Sequence, residues 1–193
     1  CKNISYCICF VIICEKDKSE ILPLTATLMR EGISGFFYTG ISADIMDSDN
    51  NILMLYQGGI SLPEKEYYFD TDEATTNIRN KFKEHIVKMF QLCGFDAKKA
   101  QQNMEAIMKI ETRIADKSFN SVEQREPAKN YHKMSYAQLK EQFPSIDWDT
   151  YFGNLKISDI KDINVSQTAP IKEVCDILSD TPLNDLIAYM QWN

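Results

Sequence analysis

Two stretches of apolar residues at helical spacing occupy the middle of the chain. The first covers residues 77–93 and is followed by Gly94, a residue type that often ends a helix. Its apolar face consists of Ile78, Phe82, Ile86, Met89 and Phe90. The second begins after Asp96, a good N-cap residue, and its face consists of Ala100, Met104, Ile107, Met108, Glu111, Ile114 and Ala115. Two adjacent amphipathic segments of this length predict a fold built on packed helices.

The remaining patterns add further helices and one β-hairpin. A helix is predicted over residues 20–31, and short helices are predicted to begin after Ser135 and at about Asp147. Two final helices have Pro170 and Pro182 in their first turns.

The predicted hairpin covers about residues 36–57, with a first strand broken by Gly40 and a turn at the polar run 47–51. The fold class is therefore mostly α, a multi-helix domain with one β-hairpin near its N-terminus.

The first nineteen residues differ in composition from the rest of the chain. They contain four of the six cysteines, and residues 6–14 are almost entirely apolar or cysteine. This run is shorter than the about 20 residues that span a bilayer. It is either the remains of a signal-peptide core or a buried strand or helical turn. Residues 1–19 therefore stay unassigned, as an apolar, Cys-rich leader.

The charge of the chain restricts the classes of binding partner, whereas its cysteines do not decide the redox compartment. The chain has 28 acidic against 21 basic residues and a net charge of −7, without a long basic cluster. We therefore expect no nucleic-acid binding. The two remaining cysteines, Cys93 and Cys175, are either a disulfide or two free thiols, so the sequence leaves the redox compartment open.

The sequence offers no recognisable active site. The chain has two histidines, His85 and His132, and neither lies in the His-Glu-x-x-His pattern of zinc peptidases. Both are interpreted as partly solvated surface residues. The acidic residues from Asp44 to Asp49 lack the glycine and glutamate of a calcium loop. We therefore predict no catalytic and no metal-binding residue in this chain.

Six segments, in their order along the chain, resemble the neprilysin, endothelin-converting enzyme and PepO group of peptidases. The longest is residues 52–68, ILMLYQGGISLPEKEYY, which matches a Gln-x-Gly-Leu-x-Leu-Pro-x-x-x-Tyr-Tyr pattern with Ile60 in place of the usual Leu. The others are residues 35–44, 111–115 and 125–131, and the two tryptophan segments that end at Trp148 and Trp192.

This resemblance implies a zinc endopeptidase with two largely helical domains. In that family the C-terminal domain holds the zinc, and the N-terminal domain caps the substrate cavity. Residues 20–193 would be part of this cap, and the chain alone would be inactive. Zinc is expected in the missing catalytic domain, and the expected partners are that domain and peptide substrates. Cell-envelope, extracellular and cytoplasmic locations all stay open, as does membrane association.

The resemblance also suggests which residues face the substrate. Leu62, Tyr67 and Tyr68 are candidates for the wall of the cavity, although packing of the hairpin on the helices is the favoured explanation of the two tyrosines. A different class of function, a standalone helical module that binds peptides or proteins, is the alternative to a peptidase cap.

Overall fold

The structure, a computed structural model, describes residues 17–33 and 35–193, so the predicted apolar run at 6–14 lies outside the described residues. Within those ranges the chain forms eight α-helices and four β-strands. The helices are α1 (Ile21–Arg30), α2 (Glu66–Phe69), α3 (Glu73–Leu92), α4 (Ala97–Lys117), α5 (Tyr136–Gln142), α6 (Trp148–Asn154), α7 (Thr168–Asp180) and α8 (Leu183–Trp192). The strands are β1 (Phe37–Asp44), β2 (Asp47–Gln57), β3 (Lys133–Ser135) and β4 (Asp162–Val165). The prediction of a mostly α fold is confirmed.

Helices α3 and α4 form an antiparallel pair whose ends follow from local chemistry. The Asp72 carboxylate accepts a hydrogen bond from the Thr75 amide, and the Asp96 carboxylate accepts one from the Lys99 amide, so both helices have a capped N-terminus. Gly94 ends α3 with φ at +95°, a conformation that costs glycine little. Helix α4 buries a nearly continuous face and packs against α3, α7 and α8, which makes it the central helix.

The strands form one mixed sheet in the order β1-β2-β4-β3. Strands β1 and β2 are the predicted hairpin, and β4 joins β2 in parallel over Leu53 to Leu55. Strand β3 then pairs antiparallel with β4. The prediction of a single hairpin missed β3 and β4 because each has only three or four residues and pairs through contacts remote in sequence.

The sequence placed the hairpin turn at residues 47–51, and this placement is wrong. The turn is Ile45–Met46, and Asp47 to Asn51 belong to β2. The first strand is also unbroken, because Gly40 pairs with Met54. The polar residues of 47–51 are tolerated in a strand because their side chains are exposed.

Asp44 explains why the turn comes earlier. Its carboxylate is buried, and Oδ1 accepts hydrogen bonds from the Met46 amide at 3.0 Å and the Tyr131 hydroxyl at 2.8 Å. Lys133 Nζ lies 3.0 Å from Oδ2. The hydrogen bond from the Met46 amide holds the pKa of Asp44 below its usual value, and the contacts with Lys133 and Tyr131 act in the same direction. The charged side chain therefore closes the turn directly after β1.

An aromatic cluster holds β1 on the helices. Phe37 lies 5.3 Å from Tyr151 and 6.0 Å from Trp148 between ring centroids, and both partners are on α6. The Trp148 indole N–H donates to the carbonyl of Phe143 at 3.0 Å, so this buried donor is satisfied.

No helix in the described ranges has the length and apolar character to cross a bilayer.

The buried amide of Asn164 connects β4 to the segment that leads into β3. Its Oδ1 accepts from the His132 amide at 2.6 Å, and its Nδ2 donates to the Asn130 carbonyl at 3.1 Å. These bonds satisfy backbone groups that the short strands leave unpaired.

Replacing Asn164 with alanine is expected to lower the free energy of unfolding by about 1–3 kcal/mol, because it leaves buried backbone groups unpaired. Urea denaturation measures the change. Asn77→Ala, on the exposed face of α3, is the matched control and should stay within about 0.5 kcal/mol of the parent. Equal effects of the two substitutions would contradict this role for Asn164.

Candidate functional site

The segment between β2 and α2, together with α2 itself, is the part of the structure that carries the longest family-like motif. We call residues 58–68 the Gly58–Tyr68 turn. Its second residue is Gly59, whose φ is +78°. A Cβ at Gly59 would lie 2.8 Å from both the Phe36 carbonyl oxygen and the Tyr189 hydroxyl, so only glycine fits. The Tyr189 hydroxyl donates to the carbonyl of Gly59 at 2.9 Å, which fixes the turn against α8.

A fully buried carboxylate, Glu111 on α4, fixes the other end of the turn. Its Oε2 accepts from the Tyr68 hydroxyl at 2.6 Å and its Oε1 accepts from the Ser61 hydroxyl at 2.5 Å. The Tyr68 oxygen in turn accepts the amide N–H groups of Ser61 and Leu62 at 3.2 and 3.1 Å. One carboxylate therefore holds the turn through both a tyrosine and a serine.

The network continues to the end of α8. The Trp192 indole N–H donates to Ser61 Oγ at 2.9 Å, so Ser61 relays between Trp192 and Glu111. Three parts of the fold meet in this way: the Gly58–Tyr68 turn with α2, the helix α4, and the end of α8. We call Ser61, Tyr68, Glu111 and Trp192 the Glu111 network.

Burial governs the titration of this network. Burial raises the pKa of Glu111, and the hydrogen bonds from Ser61 and Tyr68 oppose that rise. Burial also raises the pKa of Tyr68, and the charge of Glu111 adds to the effect. A raised pKa often marks a functional site. Here, however, both hydrogen-bond partners of the Glu111 carboxylate, Ser61 and Tyr68, hold the turn in place. The arrangement positions the backbone of the turn.

Two more side chains tie the turn to the C-terminal end of α4. The Gln57 amide group makes both a donated and an accepted bond with the backbone of Phe119, at 2.8 and 2.7 Å. Lys65 Nζ donates to the carbonyl of Ser118 at 2.7 Å, where unpaired carbonyls end the helix.

The three predicted cavity-wall residues lie in different environments. Leu62 is buried and lines a cavity of about 260 Å³ between the turn and the segment that follows α4. Tyr68 is buried in the Glu111 network, and Tyr67 is half-buried against the core. The structure thus brings Leu62 and Tyr68 together through the Leu62 amide, whereas Tyr67 contacts Arg79 through its carbonyl oxygen. Whether any of them faces a substrate stays a prediction.

The other residues singled out from the sequence do not converge. His85 is exposed on α3 and His132 is half-buried before β3, with its Nδ1 at 3.1 Å from the Val165 carbonyl oxygen. Cys93 and Cys175 are both free thiols, and burial raises the pKa of Cys175 to about 12. Across residues 17–33 and 35–193, no three His, Cys, Asp or Glu side chains are placed to bind a metal ion. The described residues therefore do not fit a zinc site.

Sequence reasoning did not assign a role to Glu111, Tyr189 or Gln57. A signal for Glu111 was present, because it is the one acidic residue on the mostly apolar face that α4 buries. An acidic residue at such a position needs buried donors. No comparable signal marks Tyr189, since its partner is a carbonyl 130 residues away in sequence.

The N-terminal model of peptidase family M13 matches residues 8–193, which is nearly the whole chain. The chain belongs to peptidase family M13. This confirms the resemblance to the neprilysin, endothelin-converting enzyme and PepO group. The match begins at residue 8, inside the leader, and the assignment of residues 1–19 stays a prediction.

Named relatives support the same membership. Endothelin-converting enzyme 1 of Mus musculus is 27% identical over 165 residues, which are 83% of this chain and 21% of that protein. The enzyme of the same name from Cavia porcellus is 28% identical over 165 residues, or 83% of this chain and 22% of its own length. The chain therefore spans about a fifth of these relatives.

Solved structures show the same fold. The zinc metalloprotease Zmp1 of Mycobacterium tuberculosis, in its open state, superposes with a TM-score of 0.90 at 23% identity, over 97% of this chain and 29% of that one. PepO from Lactobacillus rhamnosis HN001 superposes with a TM-score of 0.77 at 16% identity, over 97% of this chain and 30% of that one. The chain is thus the N-terminal part of an M13 metallopeptidase-like protein.

Removing the hydroxyl of Tyr68 is expected to weaken the fold. Tyr68→Phe leaves Glu111 with one fewer donor and leaves two turn amides without an acceptor, so the free energy of unfolding should fall by about 1.5–3 kcal/mol. Tyr67→Phe is the neighbouring control, and it should change this energy by less than about 0.5 kcal/mol in the same urea titration. Comparable losses in both variants would show that the Glu111 network is not the reason.

The raised pKa of Glu111 gives a pH dependence with a definite sign. The folded chain holds the Glu111 proton more tightly than the unfolded chain does. Between the usual glutamate pKa of about 4.3 and the raised pKa of the folded state, Glu111 is therefore protonated in the folded chain and ionised in the unfolded one. The stability contributed by Glu111 is therefore complete below that window and is lost as the pH rises through it.

We expect the free energy of unfolding of the parent, minus that of Glu111→Gln, to become smaller as the pH rises. The glutamine variant removes this titration, and its exchange of one acceptor oxygen for a donor NH₂ has the same cost at every pH. The other carboxyl groups cancel in the difference, so its slope with pH reports Glu111. Urea denaturation across the range from acid to neutral pH tests it. A difference that is constant, or that grows with pH, would contradict the buried-carboxylate account.

Proposed function

We propose that this chain forms part of the cap over the substrate cavity of a zinc metalloendopeptidase. The observation that carries the proposal is the match of the family's N-terminal model to residues 8–193. It is supported by the fold shared with a zinc metalloprotease and by the names of the relatives, which are endothelin-converting enzymes. In this proposal the chain's partners are its own C-terminal catalytic domain and peptide substrates.

The chain's own residues contribute rigidity and shape in this proposal. The Glu111 network fixes the Gly58–Tyr68 turn on α4 and α8, and Gln57 with Lys65 ties the same turn to the end of α4. Leu62 lines the cavity of about 260 Å³ beside that fixed turn. A wall built in this way keeps its form when a peptide binds, which limits the entropy that binding costs.

Zinc chemistry belongs to the catalytic domain in this proposal. When bound there, the metal polarises the peptide carbonyl and activates a water molecule. The exposed His85 and the half-buried His132 lie on separate elements, and neither belongs to a group of three His, Cys, Asp or Glu side chains that could hold a metal ion among the described residues. The cell envelope or the extracellular space is the location we propose, with the cytoplasm as the alternative.

The test compares the 193-residue chain with the same polypeptide extended to the end of its reading frame. We expect the extended protein to cleave a fluorogenic peptide, to lose this activity with a chelator and to regain it with zinc. The 193-residue chain should not cleave the peptide. A reading frame that stops after Asn193, or an extended protein without zinc-dependent cleavage, would instead favour a standalone peptide- or protein-binding module.

The same extended protein tests the cavity wall. If Tyr67 faces the peptide, Tyr67→Ala should raise KM by about 2–10-fold with little change in kcat, because one aromatic contact is lost. Tyr67→Phe keeps the ring and should leave KM unchanged. An unchanged KM in both variants would remove Tyr67 from the wall and leave it a packing residue.

A further inference from the structure

A row of four apolar side chains and one histidine runs along α3 beside the buried face of the helix, and all but one of them are exposed. We call it the α3 stripe, and it consists of Ile78, Phe82, His85, Met89 and Leu92. Leu92 is 72% exposed, Ile78 42% and Met89 40%, whereas Phe82 is partly buried. Large apolar side chains that are exposed in one continuous row mark an interaction surface more often than isolated ones do.

The spacing of the α3 stripe indicates what kind of element would cover it. Its members follow one another at intervals of four, three, four and three residues. This is the repeat with which one α-helix packs along another at a small crossing angle. The fifteen residues from Ile78 to Leu92 are separated by fourteen steps of about 1.5 Å, so the stripe is about 21 Å long. The stripe therefore fits about four turns of a second helix.

The end of α8 forms one side of this surface. The ring of Trp192 lies 5.7 Å from that of Phe82 and 5.9 Å from that of His85, between centroids, in edge-on contacts. Because Trp192 also donates to Ser61, a helix on the stripe would contact the Glu111 network through this one ring.

The charges beside the stripe restrict the partner further. Lys81 and Lys88, seven residues apart, lie along its solvent side. Glu84 is 2.8 Å from Lys81, an exposed pair with little energy. In an antiparallel two-fold pairing of α3 with a second copy, this lysine flank would face itself, which is unfavourable. A helix with acidic residues beside its apolar positions is complementary instead.

We propose that the α3 stripe is the docking face for an amphipathic helix with an acidic flank, and that this helix belongs to the same polypeptide in the longer M13 protein. The inference rests on the proposed function. The chain spans about a fifth of its relatives' length, so such a protein has ample sequence to supply the helix. Trp192 places the stripe beside Asn193, where any continuation of the polypeptide starts.

Leu92→Lys tests the proposal in two forms of the protein. Leu92 is exposed in the 193-residue chain, so there the substitution should shift the midpoint of thermal unfolding by less than about 2 °C. In the polypeptide extended to the end of its reading frame, the lysine would lie under the docked helix and should lower the midpoint by more than about 3 °C. Val122→Lys, at a residue that is 67% exposed and remote in sequence from α3, is the control and should have no effect in either form.

Three results would overturn the inference. The first is an equal shift of the unfolding midpoint by Leu92→Lys in the two forms of the protein. The second is a reading frame that stops after Asn193. The third is a 193-residue chain that sediments as a dimer and is dissociated by Leu92→Lys. The last result would assign the stripe to a second copy. Because unfolding is measured without a substrate, an extended protein that shows the context-dependent shift but does not cleave peptides would refute the proposed function and leave the docking inference standing.

Discussion

The carboxylate of Glu111 is the interaction on which the arrangement of this domain depends. An ionised carboxylate inside an apolar core is costly unless its oxygens accept hydrogen bonds, and here both do. The donors come from one turn, and a third side chain from the last helix joins through Ser61. Satisfying this one group therefore fixes where the chain must pass after β2, how α2 sits on α4, and where α8 ends.

Several residues in the motifs shared with the family bind and position backbone groups or fix a turn in this structure. Gln57 binds the Phe119 backbone, Gly59 admits the close approach of Tyr189, and Tyr68 binds Glu111. Tyr131, in another of the matching segments, holds the carboxylate of Asp44 at the hairpin turn. The motifs therefore identify a shared way of packing. This explains how the chain can be assigned to a peptidase family although the described residues contain no set of zinc ligands.

Periodicity predicted the long helices well, because α3 and α4 carry apolar faces and their ends depend on local signals. Both helices begin after a capping aspartate, and α3 ends at Gly94. It failed in the sheet. Strand β4 has four residues and depends on partners in β2 and β3, so no window of sequence reveals it. The hairpin turn was misplaced because the polar run 47–51 has turn-like composition, whereas the deciding residue, Asp44, draws its partners from β3 and the segment before it. The acidic residue on the mostly apolar face of α4 is the one sequence feature that indicates a buried hydrogen-bond network.

The parallel pairing of β2 with β4 has a consequence for the synthesis of this protein. Leu53 lies opposite Ile163, 110 residues later, while β1 pairs with β2 as soon as both have been made. At about 5–20 residues per second, a ribosome needs roughly 5–20 s to add the intervening chain. During that interval the hairpin presents an unpaired edge that includes Leu53 and Leu55, which is the kind of edge that pairs with other chains. The nascent protein is therefore most prone to aggregation in this interval, and shielding of the hairpin by a chaperone would matter more then than after β4 has joined the sheet.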